Sequence, residues 1–381
     1  MTASALILVT TSFPIANDGS ESAGSFVSDL AEELACHCPV RVVAPGTLSG
    51  HETWAPNVEV FRYASPAKPL STLRLWHPAD MLVIARVLQA GMKATQAAVK
   101  AGPTMHIFAL WALPSGEWAR RVGRKHGVGY SVWMLGSDVW SFGRVPVLRQ
   151  MLGRVVRRAQ YAYADGYQLA EDAQRITGRS VTFLASTRKI LMVNPPLPHA
   201  QPPYRLLFLG RWHPNKGVDL LLDALAQLDE KDWRRIECVE IQGGGPMEDL
   251  VRERVAALQA AGRQVHLGGF LVKQDAELAI ARADWVLIPS RIESIPVVFS
   301  DAMKLGRPVI SSPVGDLPHL LEDSGCGELA EDASAVMFCH AIQKALAVST
   351  RSFDVAVRSQ AAHFNLVKIA AAIHAKVVGD G

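Results

Sequence analysis

An alternation of strand and helix patterns that stops once and then starts again constrains the fold of this 381-residue chain most strongly. Short apolar runs such as Ala5–Thr10 alternate with amphipathic stretches such as Ser25–Cys36 through the first half. Residues 194–203 then hold five prolines in ten positions, and neither a helix nor a central strand continues through such a segment. The alternation restarts at Tyr204–Leu209. The pattern therefore predicts an α/β protein with two parallel sheets, each covered by helices on both faces.

The proline-rich run divides the chain into three predicted parts. Residues 1–197 form a first domain, residues 204–360 a second domain, and residues 361–381 a C-terminal helical segment. Ligands of open parallel sheets bind outside the carboxyl ends of the strands. We therefore expect two Rossmann-like domains that face a cleft, with the chemistry in the loops that follow the strands.

Composition excludes several classes of protein. Apolar residues make up 49% of the chain and charged residues 20%, which is typical of a globular protein. A net charge of only +3 argues against a nucleic-acid binder, and no apolar run reaches the ~18 residues of a membrane-spanning helix. The apolar N-terminus has no basic start and indicates a buried strand rather than a signal peptide, so we expect a cytoplasmic protein. Cys36 and Cys38 flank a histidine but lack the second ligand pair of a zinc site.

Positive charge is concentrated in one stretch. Between Ala119 and Ala164 there are nine Lys or Arg and a single acid, Asp138. Helical patterns over Val145–Tyr163 interleave these arginines with apolar residues. Such a basic amphipathic surface is suited to anionic membrane headgroups, and we expect peripheral binding at the inner face of the plasma membrane. The alternative is a helix whose apolar stripe is buried against the sheet and whose arginines are solvated.

The loop Gly210–Gly217 follows the first strand of the second domain and leads into a helix near Val218. Backbone N–H groups at such a helix start point toward a ligand and favour an anion. Arg211 and Lys216 add two positive charges there, which suits a diphosphate held without a metal. A second loop, Gln242–Pro246, carries three glycines that permit close approach of a ligand, although many α/β proteins have such a loop.

The third segment, Pro289–Asp301, carries the most specific pattern. A buried strand ends at Pro289, a polar loop carries Glu293, and Pro296 stands where a helix begins. The free N–H groups near Val297 would favour an anion. Asp301 falls about one turn into this helix, so two carboxylates could accept hydrogen bonds from a sugar and a ribose. Dipole compensation in a first helical turn is the alternative interpretation of Asp301.

In this order, the three loops resemble the family 4 retaining glycosyltransferases of the GT-B fold. The closest stretches are FLGRWHPNKGVDLLLDAL, IQGGGP, VHLGGF and ADWVLIPSRIESIPVVFSDAMKLGRPVISSPVGDLPHLL. In the first half the resemblance is looser and covers TSFP, FVSDLAEELA, WALPSG and GSDVW. The resemblance implies that the C-terminal helix packs back on the first domain.

The resemblance assigns roles to the matching positions. It implies that Arg211 and Lys216 hold the donor diphosphate, that Glu293 meets the hydroxyls of the transferred sugar, and that Asp301 holds the ribose. We take Glu293, Arg211 and Lys216 as candidate catalytic residues. The base would be recognised around Gly269 and Phe270. The candidate donor-binding residues are Gly210, Gly217, Gly244, Phe270, Arg291, Ser294, Ile295, Pro296, Val297 and Asp301. The candidate acceptor-side residues are Gly24, Ser25, Trp111, Ser137 and Asp138.

The chain departs from the family pattern at two places. The second acid of the family is usually Glu, whereas Asp301 is one methylene shorter and its contact with ribose could run through water. Family members often carry histidines in the first-domain motifs, where this chain has Phe108, Leu110 and Leu135. His106 is close by but falls on a strand, where a structural histidine is expected.

The resemblance implies transfer of a hexose, with retention, from a UDP- or GDP-sugar to a hydroxyl acceptor. The acceptor would be a glycan or a lipid-linked glycan in cell-surface polysaccharide or glycolipid assembly. Because cations line the diphosphate site, we expect no metal and no cofactor, the nucleotide-sugar being a co-substrate. Alternatives are 2-epimerisation of a nucleotide-sugar and a binding or scaffold subunit that has lost its chemistry. A glycosidase using Glu293 and Asp301 has no use for phosphate-binding loops.

Overall fold

The computed structural model describes residues 4–15, 24–66 and 77–379, so the extreme ends of the first and last predicted segments lie outside the described residues. The chain forms two compact units. Unit 1 combines the N-terminal residues up to Leu184 with the segment from Leu366 onward, and unit 2 comprises Ala185–Asn365. The two predicted parallel sheets correspond to these two units.

Unit 1 is an α/β unit whose elements follow the predicted alternation. Its strands are β1 (Ala5–Val9), β2 (Val40–Gly46), β3 (Gly50–Ala55), β4 (Val58–Ala64), β5 (Thr104–Leu110), β6 (Tyr130–Met134), β7 (Ala162–Ala164) and β8 (Thr182–Phe183). Its longer helices are α1 (Ser25–Leu34), α2 (Pro78–Lys100), α3 (Glu117–His126), α5 (Pro146–Arg158) and α6 (Tyr167–Thr177). Short turns of helix lie at Ala112–Gly116, at α4 (Ser137–Trp140) and at Phe142–Arg144.

The sheet of unit 1 has the strand order β3-β4-β2-β1-β5-β6-β7-β8 among the described residues. All neighbours are parallel except β3 and β4, which form an antiparallel hairpin at the edge. Apolar patterning did not reveal β3, because its residues are exposed or half-buried and lack a buried face. Its hydrogen bonds to β4 come from pairing at a sheet edge rather than from burial of apolar side chains.

One predicted element of unit 1 is wrong in part. The helical pattern over Val145–Tyr163 ends at Arg158, and Ala162–Ala164 is the strand β7. Ala159 leaves the helical region with an extended backbone, and Val132 of β6 pairs with Ala162. The alternation of apolar and polar residues around Tyr163 fits a strand period as well as a helical one, and the sheet decides between them.

Unit 2 holds the second parallel sheet, with the order β11-β10-β9-β12-β13-β14. Its strands are β9 (Tyr204–Arg211), β10 (Ile236–Gly244), β11 (Val265–Leu267), β12 (Trp285–Ile288), β13 (Val309–Ser311) and β14 (Gly327–Leu329). Its helices are α7 (Val218–Leu225), α8 (Glu230–Trp233), α9 (Glu248–Ala260), α10 (Lys273–Arg282), α11 (Val297–Lys304), α12 (Leu317–Ser324), α13 (Ala335–Ala347) and α14 (Asp354–His363), with a 3-10 turn at Thr350–Phe353.

The boundary between the units lies earlier than the predicted residue 197. The segment ahead of the prolines has no regular structure, yet it is bound to unit 2 by its polar groups. The amides of Leu191 and Met192 donate to the carboxylate of Glu277 over 3.0 and 3.1 Å, and the side chain of Arg307 donates to the carbonyl of Pro196. A proline run marks a break in secondary structure, but tertiary hydrogen bonds decide to which unit the segment belongs.

The C-terminal helix α15 (Leu366–Gly379) begins after the predicted residue 361 and belongs to unit 1. It packs against α1, and His374 stacks on His37 with 5.2 Å between ring centroids. Across the described residues, no helix is both long enough and apolar enough to span a bilayer.

Candidate functional site

Five loops of unit 2 emerge from one edge of its sheet. They follow β9, β10, β11, β12 and β13, which are consecutive in the order β11-β10-β9-β12-β13 and mutually parallel. Because the carboxyl ends of parallel strands meet at the same edge, the three loops singled out in the sequence are neighbours in space. The loop after β13, at residues 312–316, was not singled out.

The loop 210–217 and the loop 289–296 touch at Gly217. This glycine has a left-handed φ of 67°, and a Cβ there would lie 1.8 Å from the carbonyl oxygen of Pro289. A side chain is therefore excluded both by the backbone conformation and by the neighbouring strand end. Gly217 also stands directly before α7, so this contact holds the start of that helix beside the loop 289–296.

Lys216 and Glu293 form an ion pair across these two loops. Their side chains are 36% and 15% exposed, so the pair is accessible from solvent but partly shielded from it. Each group was a candidate catalytic residue, and the structure brings the two together. A ligand can reach both charges of this ion pair. Its phosphate oxygens could replace the carboxylate as the partner of Lys216, and its hydroxyls could replace the ammonium group as the partner of Glu293.

Arg291 joins the same two loops from the outside. Its guanidinium donates to both carboxylate oxygens of Asp219 over 2.8 and 2.9 Å and to the carbonyl of Pro214 over 2.9 Å. Its backbone N–H donates to the carbonyl of Asn215 over 2.7 Å. Burial acts to raise the pKa of Asp219, but the hydrogen bonds and charge of Arg291 outweigh it and hold the pKa below its usual value.

Arg291 was a candidate donor-binding residue, and the structure gives its guanidinium a partner within the protein instead. Asp219 was missed by the sequence analysis. It stands in the first turn of α7, and nothing in the sequence pairs it with a residue 72 positions away. We call the bidentate contact between Arg291 and Asp219 the loop clamp.

Helix α11 begins at this site without a side-chain cap. Pro296 is the residue before the first turn, and its side chain accepts no hydrogen bond from the helix, whereas its carbonyl accepts one from the amide of Phe299 over 2.9 Å. The positive end of the helix dipole at Val297 therefore lies next to the loop of Glu293. Ile295 is 4% exposed, and the buried hydroxyl of Ser294 has no hydrogen-bond partner among the described residues.

The loop after β13 supports this arrangement. Gly315 has a φ of 55°, and a Cβ there would lie 2.3 Å from the carbonyl oxygens of Glu293 and Ser294. The amide of Asp316 donates to the carbonyl of Ser294 over 3.2 Å. Gly315 and Asp316 follow the strand VIS within a stretch already noted for its resemblance, but the contact with Glu293 depends on the order of the strands in the sheet.

Asp301 has a different environment from Glu293. Its side chain is 1% exposed and forms a buried ion pair with Arg188, whose Nε donates to Oδ2 over 2.8 Å. Oδ1, also buried, has no hydrogen-bond partner among the described residues. Asp301 is thus not accessible to a ribose in this structure, and its role there stays a prediction that requires the pair to open. Arg188 lies in an irregular segment, where no sequence pattern pointed to it.

Phe270 and Gly244 lie beside each other, as their assignment to one ligand requires. A Cβ on Gly244 would lie 2.6 Å from the ring of Phe270, and the ring is 61% exposed. The amide of Trp212 donates to the carbonyl of Gly244 over 2.8 Å, which joins this loop to the one carrying Arg211. Arg211 ends β9 directly after Gly210, is exposed and pairs with Gly244, so this edge offers a flat aromatic face near an accessible cation.

The acceptor-side candidates lie at the carboxyl edge of the sheet of unit 1. Gly24 and Ser25 begin α1, Trp111 follows β5, and Ser137 begins α4 after β6. Trp111 is half-buried and Ser137 exposed, whereas Ser25 is 7% exposed. Trp111 and Ser137 therefore remain the accessible candidates at this edge.

Asp138 was predicted to lie on the acceptor side, but its side chain is fully buried and not accessible to an acceptor in this structure. Its carboxylate accepts hydrogen bonds from the amides of Ala112 over 2.7 Å and Leu135 over 3.3 Å, so it holds two loops together. Burial raises its pKa to about 6 against the opposing effect of these amides. His106 is likewise 2% exposed and lies 2.8 Å from the hydroxyl of Ser131, as expected for a structural histidine.

The basic stretch of unit 1 is divided between surface and core. Leu152, Val155 and Val156 are buried in the hydrophobic core, as the alternative interpretation of the amphipathic pattern required. Arg120 is 7% exposed and bound to Glu117 over 2.7 and 2.8 Å, so it does not contribute to a basic surface. The remaining cations are exposed, namely Arg121, Arg124, Lys125, Arg144, Arg149, Arg154, Arg157 and Arg158.

Comparison with known proteins gives this site its family context. Residues 203–347 match the family model described as Glycosyl transferases group 1. This match covers the sheet of unit 2 and all five loops at its carboxyl edge. A D-inositol 3-phosphate glycosyltransferase of Corynebacterium diphtheriae is 29% identical over 46% of this chain and 42% of its own length. A glycogen synthase of Thermus thermophilus is 35% identical over 33% of this chain and 28% of its own length.

The chain thus spans less than half the length of these curated relatives, whereas similar solved structures cover nearly all of it. A sucrose-phosphate synthase from Thermosynechococcus elongatus has a TM-score of 0.77 at 19% identity over 99% of this chain and 100% of its own. Anabaena HepE in complex with UDP-glucose has a TM-score of 0.68 at 16% identity over 98% and 99%. At these identities the likeness shows the fold, which is the GT-B class of two Rossmann-like domains.

Proposed function

We propose that this protein is a glycosyltransferase that transfers a hexose, with retention, from a UDP- or GDP-sugar to a hydroxyl acceptor. The observation that carries the proposal is the accessible ion pair of Lys216 and Glu293 beside the uncapped start of α11. A diphosphate and a sugar require a cation, a carboxylate and free N–H groups within one small region. The family match over the same residues and the nucleotide-sugar named in the HepE structure support this chemistry.

The residues suggest how each part of the donor would be held. Lys216 and exposed Arg211 would bind the diphosphate, with the N–H groups at Val297 aimed at the same charge. Glu293 would accept hydrogen bonds from sugar hydroxyls once Lys216 turns to phosphate. Phe270 would face the base. The buried hydroxyl of Ser294 would supply a further acceptor, and Asp301 another once its pair with Arg188 opens, since an unsatisfied buried polar atom gains about 1–3 kcal/mol from a partner.

The transfer itself needs no general base from the protein. The bond between the anomeric carbon and the phosphate oxygen breaks, and the acceptor oxygen forms its bond to that carbon on the same face. The acceptor proton passes to the departing phosphate oxygen. Catalysis would then rest on positioning and on stabilisation of the leaving diphosphate by Arg211, Lys216 and the start of α11.

A panel of nucleotide-sugars tests the proposal. Specific binding of the correct donor raises the melting temperature by mass action, and the matching nucleoside without phosphates should raise it far less. Incubation with that donor and a set of hydroxyl acceptors, followed by NMR of the product anomeric proton, reports transfer and its stereochemistry. Inversion at the anomeric carbon would contradict the retaining mechanism, and no response to any UDP- or GDP-sugar would contradict the donor class.

A binding or scaffold subunit is the second candidate, because Arg188 occupies the carboxylate of Asp301 and no histidine stands at Leu135. This function predicts that the protein binds a nucleotide-sugar without turning it over. Calorimetric binding of the donor together with absent transfer across the acceptor panel would favour it. Single-turnover release of the nucleoside diphosphate would reject it.

We further propose that the enzyme works in the cytoplasm at the inner face of the plasma membrane, on a glycan or lipid-linked glycan acceptor of the cell surface. The exposed cations of α3 and α5 support this, and a lipopolysaccharide galactosyltransferase, WaaB, shares the fold with a TM-score of 0.70. Co-sedimentation with anionic vesicles should fall with salt. It should also weaken in Arg149→Ser/Arg154→Ser but not in Arg234→Ser/Arg282→Ser. Failure of the wild-type protein to bind anionic vesicles at low salt would reject the membrane proposal.

A further inference from the structure

Helix α2 of unit 1 is flanked by two depressions of opposite character. On one side lies an apolar groove of about 760 Å³, whose wall includes Leu88, Met92, Trp118, Phe142, Leu148 and Met151. Clefts of this size hold small molecules and are usually apolar with a few polar groups. The groove is not a packing defect of the core, because it opens to solvent and its lip carries exposed apolar side chains, Leu88 among them.

On the other side of α2 lies a depression of about 680 Å³ with cationic walls. Arg86, Lys93 and Arg62 line it, and none of the described residues that line it is acidic. Arg62 is already bound to Glu52 over 2.8 Å, but Arg86 and Lys93 are exposed and form no ion pair with a described residue. Lys93 and Gln89 line both depressions, so they form the ridge between the apolar groove and the cationic depression.

Among the described residues that line the apolar groove one is acidic, Glu117, and its charge is already balanced. Glu117 is bound to Arg120 over 2.7 Å and to Arg121 over 2.6 Å. Burial acts to raise the pKa of Glu117, but the two arginines outweigh it and hold the pKa below its usual value. The groove mouth therefore has a surplus of positive charge, supplied by Arg121 and Lys93.

The apolar groove also lies at the edge of the sheet where a ligand is expected. Leu113 and Pro114 line it and follow β5 directly after Trp111, and Phe142 lines it in the segment that follows β6. Ligands of parallel sheets bind at these carboxyl ends. The nearest accessible acceptor-side candidates, Trp111 and Ser137, belong to the same two loops.

From this juxtaposition we infer that unit 1 binds an anionic amphiphile, with its hydrocarbon chain in the apolar groove and its phosphate headgroup at Lys93 and Arg86. The complementarity selects a phosphate-bearing lipid, because a hydrocarbon chain matches the apolar groove and a phosphate matches the cations Arg86 and Lys93 next to it. The inference rests on the proposed function in one respect, since it identifies the amphiphile with the lipid portion of the acceptor.

Titration calorimetry below the critical micelle concentration tests the inference with three probes. Dodecyl phosphate carries chain and charge, dodecyl maltoside carries the chain alone, and inorganic phosphate carries the charge alone. We expect dodecyl phosphate to bind at least about tenfold more tightly than either of the others. Equal affinity for dodecyl phosphate and dodecyl maltoside, or no binding of either, would overturn the inference.

Variants locate the site. Met92→Trp fills the groove, and Leu88→Glu places a negative charge at its exposed lip without disturbing the core. Lys93→Ser removes the cation on the ridge. Each of these variants should bind dodecyl phosphate about tenfold or more weakly than the wild type. The controls Lys100→Ser, on the same helix, and Val355→Trp, in unit 2, should bind it as tightly as the wild type. Undiminished binding in Leu88→Glu and Lys93→Ser would overturn the assignment even if Met92→Trp fails to fold.

Two parallel measurements separate this inference from the proposed function. Binding of UDP-glucose should be unchanged in Leu88→Glu, Met92→Trp and Lys93→Ser, because these residues lie in unit 1. Donor binding without amphiphile binding would reject the lipid site alone, and amphiphile binding without donor binding would reject the glycosyltransferase proposal. Light scattering tests whether a second copy of this chain occupies the groove instead. A concentration-dependent dimer that dissociates in Leu88→Glu, together with no binding of dodecyl phosphate, would identify the groove as a protein interface and overturn the inference.

Discussion

The two sheets of this protein share an architecture and differ at their carboxyl edges. In unit 2 that edge carries glycines, the solvent-accessible Lys216–Glu293 ion pair and the start of α11 without a side-chain cap. In unit 1 its acid, Asp138, is buried under backbone amides, and the accessible surface nearby is an apolar groove with cations at its rim. The fold therefore determines where ligands bind, while the loops determine which chemistry each edge can perform.

The difference also explains why the family match is confined to one unit. It covers residues 203–347, where, on the proposed function, backbone N–H groups and charges meet the diphosphate and sugar that all such donors share. On the same proposal, the edge of unit 1 meets the acceptor and faces no such common requirement. Unit 1 can therefore change its loops while its strands continue to form the same sheet.

The largest effect is expected at Glu293. Glu293→Gln removes the charge that would bind the sugar hydroxyls and leaves Lys216 unpaired, so we expect turnover to fall by about 10²–10³-fold. Initial rates at saturating donor, with the melting temperature measured in parallel, check this. Glu322→Gln, an exposed acid of the same unit, is the control. Normal turnover in folded Glu293→Gln would remove the functional contrast between the two edges.

The second prediction concerns Asp138, the buried acid at the edge of unit 1, whose role should be structural. With a folded-state pKa of about 6 against an ordinary 3.8, the fold favours its protonated form. Its contribution to stability is full below pH ~4 and is lost as pH rises through about 6, a change of about 3 kcal/mol. Urea unfolding should show the stability of wild type relative to Asp138→Asn falling over this interval and flat above it. A constant difference would contradict the raised pKa.

Lys216 and Arg211 should act on phosphate rather than on the nucleoside. Replacing either with Ala removes a charge-assisted contact, and we expect UDP or GDP to bind more weakly by about 1.5–3 kcal/mol with little change for uridine or guanosine. Calorimetry with both ligands checks this, with Lys231→Ala as the control. Equal losses for diphosphate and nucleoside would mean that the cations stabilise the loop and not the ligand.

The loop clamp should have a smaller effect, since neither of its residues is expected to touch the donor. Asp219→Asn breaks the bidentate contact that joins the loops of Lys216 and Glu293, so kcat should fall about tenfold with little change in KM. The charge exchange Asp219→Arg/Arg291→Asp should recover part of that loss. A rise in KM in Arg291→Ala alone, with Asp219→Asn unaffected, would restore the prediction that Arg291 binds the donor itself.

The sequence was most informative where a local pattern and a local structure coincide. The start of α11 was predicted correctly, because the buried strand that ends just before Pro289 and the proline at position 296 determine it locally. Pairings between distant residues could not be predicted. Arg188 with Asp301 and Arg291 with Asp219 depend on which strands become neighbours in the sheet. The apolar groove was missed for the same reason, since its walls come from three separated segments.

The last prediction concerns a metal, and its expected effect is no change. A diphosphate leaving group needs positive charge as its bond to the sugar breaks, and divalent cations are one means of supplying it. In unit 2 the protein carries that charge in Arg211, in Lys216 and in the start of α11, and no pair of acidic residues stands on a loop beside them in the manner of a DxD motif. Transfer rates should therefore be the same in excess EDTA as in added magnesium or manganese, while Lys216→Ala loses activity under both conditions. Activity that collapses in chelator and returns with the metal would show that a cation, and not the charge of the loops, distinguishes this edge from that of unit 1. If magnesium restored activity only in Lys216→Ala, a metal ion would be able to replace the charge of Lys216 but would not be required by the wild type.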